Sequence, residues 1–150
     1  MKYPLVPWSA EIEVGLPVID AQHKRLFDLA ESFAGQGDQI RVMKTLAELC
    51  DYAKVHLREE EAMLAAIGYS GLAEHKRHHA RFRRMLNELL EDARGMTLDE
   101  IADRVEALIN GWFCHHITKV DVEYVPALAA HAARESSGSL SSEKRSRQAV

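Results

Sequence analysis

The longest periodic stretch of the chain lies between Asp38 and Ile67. Val42, Leu46, Leu49, Ala53, His56, Glu60, Met63 and Ile67 recur there at intervals of three and four. That spacing puts them on one face of an α-helix and fits no β-strand, whose faces alternate every second residue. Two members of the stripe, His56 and Glu60, are not apolar. A group able to carry charge, set in a face that must be buried, needs a partner or costs kilocalories.

Three more stripes have the same period. A helix from Pro17 to about Ala34 aligns Ile19, His23, Leu26, Ala30 and Phe33, with Gly35 and Gly37 as its stop. A helix over roughly 71–93 aligns Leu72, His75, His79, Phe82, Leu86 and Leu89, and Gly95 ends it. Gly68 and Gly71 bracket the turn before it, where Ser70 is a candidate cap. Thr97-Leu98-Asp99-Glu100 is a capping box that starts a fourth helix, with Ile101, Val105, Leu108, Ile109, Trp112 and His116 as its stripe.

Four such helices with short connections predict an all-α fold, an up-down-up-down four-helix bundle. Pro4, Pro7 and Pro17 bar one long helix at the N-terminus, so Leu5, Val6 and Trp8 read as an arm packed on the core. Residues 134–150 are polar and serine-rich and read as a short flexible C-terminal tail, leaving 1–133 as the bundle domain.

A chain of 150 residues fits one domain. Its net charge of −4 argues against a nucleic-acid partner. No apolar run approaches the ~18 residues of a membrane helix, so no membrane insertion is expected. The first residues carry prolines and acids where a signal peptide needs an apolar stretch, which points to the cytoplasm. Cys50 and Cys114 are too few for a disulfide framework and read as small buried apolar residues.

The polar residues in the stripes carry the functional signal. His23, His56, Glu60, His75, His79 and His116 come from four helices and all face the expected core. A shared metal centre is the economical partner. His75 and His79 stand one turn apart and can reach one ion, and His56 and Glu60 repeat that geometry with a carboxylate. Glu59 and Glu61 point about 100° to either side of Glu60 and read as a solvated face. No His-Glu-x-x-His is present, nor Glu-x-x-His on two helices; its only relative is Asp20-x-x-His23.

With these residues in place, the chain resembles the hemerythrins, in particular the single-domain bacterial ones, over about residues 8–128. The resemblance rests on Trp8, Val14-Gly15, Ile19-Asp20, Gln22-His23, His56 with Glu60, Gly68-Tyr69, His75 with His79, Trp112, His116-Ile117, Asp121 and Tyr124. It implies a non-haem di-iron centre: two iron ions, Fe2+ or Fe3+, joined by a bridging oxo or hydroxo group. By position, His75, His79 and His116 would hold one iron, His23 and His56 the other, with Glu60 and Asp121 bridging. The two-histidine iron is then one ligand short of octahedral, and an open position is what a small ligand needs. The implied activity is reversible dioxygen binding, as carrier, store or local supplier, and not enzymatic. The other readings are an oxygen or redox sensor, or a di-iron enzyme acting on peroxide or nitric oxide.

Leu57, Trp112, Phe113 and Ile117 match the positions that line the oxygen pocket in such proteins. Phenylalanine often follows the second-helix histidine there, and leucine the tryptophan. Here the order is Leu57 and Phe113, which reads as a volume-conserving exchange across one pocket.

Asp121 raises a geometric problem. Five residues beyond His116, it would lie about 140° away on a straight helix. The spacing therefore predicts a helix end, a tight turn or a π-type bulge between Ile117 and Asp121. His115, about 100° from His116, and His78, off the His75–His79 face, are expected to lie away from the site.

Overall fold

The structure, a computed structural model, describes residues 8–31 and 39–147, with side chains through residue 137. The expectations for Leu5, Val6, Phe33, Gly35 and Gly37 fall outside the described residues. All regular structure among the described residues is helical: a 3-10 turn (Ala10–Ile12), α1 (Pro17–Glu31), α2 (Gln39–Ala66), α3 (Leu72–Asp92), a 3-10 turn (Ala93–Gly95), α4 (Leu98–Glu106), a π segment (Ala107–Phe113), α5 (Cys114–Lys119), a 3-10 turn (Asp121–Tyr124) and α6 (Val125–Arg147). α4, the π segment and α5 together make the fourth helix of a four-helix bundle. α2 packs on α1 and α3, and α1 packs back on α4 and the π segment. No described helix is long and apolar enough to cross a membrane.

Local chemistry explains the helix ends. α1 opens on Pro17, whose fixed φ suits a first helical position. Before it, the Val14 and Gly15 amides donate to the Asp20 carboxylate at 2.7 and 3.1 Å, folding the entry loop over the first turn. α2 ends in a Schellman motif: the Tyr69 amide donates to the Leu64 carbonyl at 3.0 Å and the Gly68 amide to the Ala65 carbonyl at 3.1 Å. Gly68 adopts φ +68°, which a Cβ would penalise. The cap of α3 is Gly71, without a side-chain hydrogen bond, and not Ser70. A Cβ at Gly71 would stand 2.8 Å from the Tyr69 ring, so any larger residue there requires the ring to shift. The capping box at Thr97 and Glu100 is formed in both directions.

Two features of the second half depart from a plain reading of the stripes. Counted from Ile101 and Val105 at about 100° per residue, an unbroken α-helix would bring Trp112 to the middle of the buried face and leave Phe113 at its edge. The i→i+5 pattern of the π segment holds one extra residue and reverses this order. Phe113 is fully buried, and Trp112 sits half-buried at the rim. Farther on, α6 continues through the serine-rich residues to Arg147, where the composition suggests a flexible tail. Proline, the strongest helix breaker, is absent beyond Pro126.

The apolar interior forms two clusters. The larger includes Leu26, Leu46, Leu49, Leu57, Phe82, Leu86, Ile101, Val105, Ile109, Phe113 and Ile117, with Cys50 and Cys114 as buried small members and Trp8 packed against it. The smaller comprises Val14, Ile19, Leu64 and Tyr124. The buried polar residues contact both: the His23 and His56 rings meet Phe113, and the His75 ring meets Tyr124.

Candidate metal centre

Seven ionisable side chains converge in this space: His23 from α1, His56 and Glu60 from α2, His75 and His79 from α3, His116 from α5, and Asp121 from the 3-10 turn. None is more than 2% exposed. Asp121 arrives because α5 stops at Lys119 and the chain turns at Val120, whose amide donates to the His116 carbonyl at 2.8 Å. The helix break that the five-residue spacing requires is therefore present. His115, on the other side of α5, is exposed, and His78 is half-exposed beside Glu74.

The two carboxylates divide the histidines. Glu60 Oε1 lies 2.7 Å from His75 Nε2 and 3.0 Å from His79 Nε2. Its Oε2 lies 3.6 Å from His23 Nε2 and 3.8 Å from His56 Nε2. Asp121 Oδ1 lies 2.9 Å from His116 Nε2 and 3.3 Å from His75 Nε2, while Oδ2 lies 3.4 Å from His23 Nε2. One group of potential ligands is Glu60, His75, His79, His116 and Asp121, with atoms within 4.8 Å of one another; a second is His23, His56 and Glu60.

The donor chemistry fits cations. His75 donates a hydrogen bond to Glu60, but His56 Nε2, both ring nitrogens of His23, His79 and His116, and both Asp121 oxygens are buried without a hydrogen-bond partner. Asp121 and His116 are close enough to bond but are not aligned for it. Lone pairs that converge without bonding each other are what a metal ion satisfies.

Protonation points the same way. Burial pushes His56 and His116 down to about 3, so both rings are neutral near pH 7 and available as ligands. Burial also lowers His79. For His75 burial acts downward, but its hydrogen bond to Glu60 and the charges of Glu60 and Asp121 prevail, and it is raised. Burial opposes ionisation of Glu60, yet the His23, His75, His79 and His56 rings clustered around it hold it well below the usual carboxylate range. Asp121 goes well above that range, through burial first and the neighbouring Glu60 second. The pocket thus lacks positive charge to balance its second carboxylate.

Aromatic rings wall the site. Phe113 stands edge-on to His23 at 5.5 Å and to His56 at 5.7 Å. Trp112 stacks on Phe82 at 4.6 Å and on His116 at 5.1 Å. Leu57 and Ile117 are buried in the same cluster as Phe113. The Tyr124 hydroxyl donates to Glu60 Oε2 at 3.1 Å, and burial raises its pKa far above the usual phenol value.

The flanking glutamates were not legible as part of the site. Glu61 Oε2 lies 3.7 Å from His79 Nδ1 and pairs with Arg83. Glu59 pairs with Gln22, which in turn reaches His56. The available signal was Gln22, directly before His23. Asp20, whose spacing to His23 mimics a ligand pair, instead holds the entry loop.

A four-helix bundle whose core gathers histidines around two shared carboxylates defines a helical cation-binding protein. The sequence model of the hemerythrin HHE cation binding domain matches residues 14–128, which include all seven side chains. The chain belongs to the hemerythrin family. It is 31% identical over 127 residues to a bacteriohemerythrin of Clostridium acetobutylicum, covering 79% of this chain and 97% of that one. It is 30% identical over 124 residues to a bacteriohemerythrin of Pseudomonas aeruginosa, covering 81% and 80%. A crystal structure of wild-type hemerythrin superposes with a TM-score of 0.71 at 27% identity, covering 83% of this chain and 98% of that one.

Proposed function

We propose that this protein binds dioxygen reversibly at a non-haem di-iron centre, as a carrier, store or local supplier, and is not an enzyme. The observation that carries the reading is the division of ligands: each carboxylate turns one oxygen toward the three-histidine group and the other toward the two-histidine group. In this reading His75, His79 and His116 would hold one iron and His23 and His56 the other, with Glu60 and Asp121 shared between the two and an oxo or hydroxo group completing the centre. Bound there, such a centre would supply the reversible two-electron chemistry that dioxygen binding needs.

The protein's own groups do the rest. The two-histidine side would leave its iron one ligand short, and Phe113 faces both of its rings. Phe113, with Leu57 and Ile117 buried in the same cluster, would make that position apolar and keep out the water and protons that would leave the irons oxidised, while Trp112 covers the His116 side. A peroxide- or nitric-oxide-consuming enzyme would want a proton donor there. Tyr124 is near, but its proton is committed to Glu60 and burial makes it a poor acid, which favours simple binding.

The test is spectroscopic. Protein reconstituted with about two irons per chain is reduced without air, exposed to air and followed in the visible range. A band that appears, persists and vanishes on deoxygenation is expected; immediate decay to a ferric spectrum rejects the reading.

A further inference from the structure

The two-histidine side is braced by a polar chain that starts at the surface. Gln22 on α1 places Oε1 2.8 Å from His56 Nδ1 on α2. The same amide donates through Nε2 to the Glu59 carboxylate, which is exposed. A carboxylate can only accept, so Glu59 takes the NH2 end of the amide and leaves the oxygen end for His56. An amide oxygen also only accepts, so the His56 proton must sit on Nδ1. Nε2 then keeps its lone pair, buried, without a hydrogen-bond partner and 3.8 Å from Glu60 Oε2.

We propose that Gln22 and Glu59 are positioning residues: a surface carboxylate sets the orientation of an amide, and the amide locks His56 in the tautomer that offers Nε2 to a metal ion. The inference rests on the metal-centre reading above and asks nothing of dioxygen. The brace is selective, since Nδ1 of His23 and of His116 are buried without any such partner. It also links α1 to α2, the two helices that carry the two-histidine group.

Charge reversal at Glu59 tests the relay from its exposed end. In Glu59→Lys the ammonium attracts the Gln22 oxygen, turns the NH2 toward His56 and favours the proton on Nε2. Long-range 1H–15N NMR of the metal-free protein reads the tautomer directly, and competition with a chelator reads the affinity for zinc. The wild type should show the Nδ1–H form. Glu59→Lys should convert His56 largely to Nε2–H and weaken zinc binding about 10–100-fold. Gln22→Leu should give mixed tautomers with a comparable loss. A wild type already in the Nε2–H form, or a Glu59→Lys protein with unchanged tautomer or unchanged zinc affinity, overturns the proposal. Should the wild type take up zinc but show no reversible oxygen band, the dioxygen reading fails while the tautomer and zinc results still decide this one.

Discussion

Glu60 and Asp121 face the same pair of histidines from two different elements: each turns one oxygen to His75, at 2.7 and 3.3 Å, and the other to His23, at 3.6 and 3.4 Å. Without a cation, two carboxylates so placed work against each other. Asp121 bears the conflict, since burial and Glu60 both oppose its ionisation.

Asp121→Asn should therefore stabilise the metal-free protein while impairing metal binding. The gain should be about 1–2 kcal/mol, or roughly 2–8 °C in melting temperature for a domain of this size. Calorimetry of the metal-free variant checks the first half, and zinc titration the second. A metal-free variant that melts below the wild type contradicts the proposed conflict.

Acid should destabilise the metal-free fold. His56 and His116 fall from 6.5 to about 3 on folding, so between those values the unfolded chain binds protons that the folded one refuses. Their contribution is complete above about pH 6.5 and is lost as pH drops toward 3. His79 and Glu60, also lowered, add to it, whereas His75 and Asp121, raised, oppose it. The urea midpoint of the metal-free protein should be lower at mildly acidic than at neutral pH. An equal or higher midpoint would mean that the lowered histidines do not dominate.

Adjacent histidines should behave oppositely. His116→Ala removes a buried ring from the centre and should weaken metal binding on the order of 100-fold or more. His115→Ala alters an exposed ring and should leave metal content unchanged. Metal analysis after dialysis separates them, and equal retention in both variants rules out His116 as a ligand.

The glycine that ends α2 offers a stability test away from the centre. Gly68→Ala forces a Cβ into φ +68° and should cost about 1 kcal/mol, some 2–4 °C. Gly95→Ala, where φ is not positive and a Cβ meets nothing within 4 Å, should be close to neutral. Thermal melts that rank the two variants the other way would show that the Schellman turn does not depend on its glycine.

The bundle was legible because each helix repeats its buried residues every three or four positions, and the ligand set because His23, His56, Glu60, His75, His79 and His116 keep that beat. The break before Asp121 was legible from its misfit spacing. The π segment was not: residues 107–117 are so rich in apolar side chains that stripes displaced by one residue look alike, and Trp112 took the place that belongs to Phe113. Glu59 and Glu61 escaped because a run of acids looks like a solvated face. Only the partners across the bundle, Gln22 and Arg83, give those glutamates a purpose, and such pairings are invisible in local periodicity.

The π segment has a consequence for how this chain is compared with others. It holds one residue more than the plain helix that could replace it. A homologue shorter by one residue between Ala107 and Phe113 could relax to an ordinary α-helix there and still present its last histidine to the centre. A single-residue gap in this stretch would then record a change of helical pitch and leave the ligand set intact, whereas the same gap between His116 and Asp121 would remove the turn that brings the second carboxylate home.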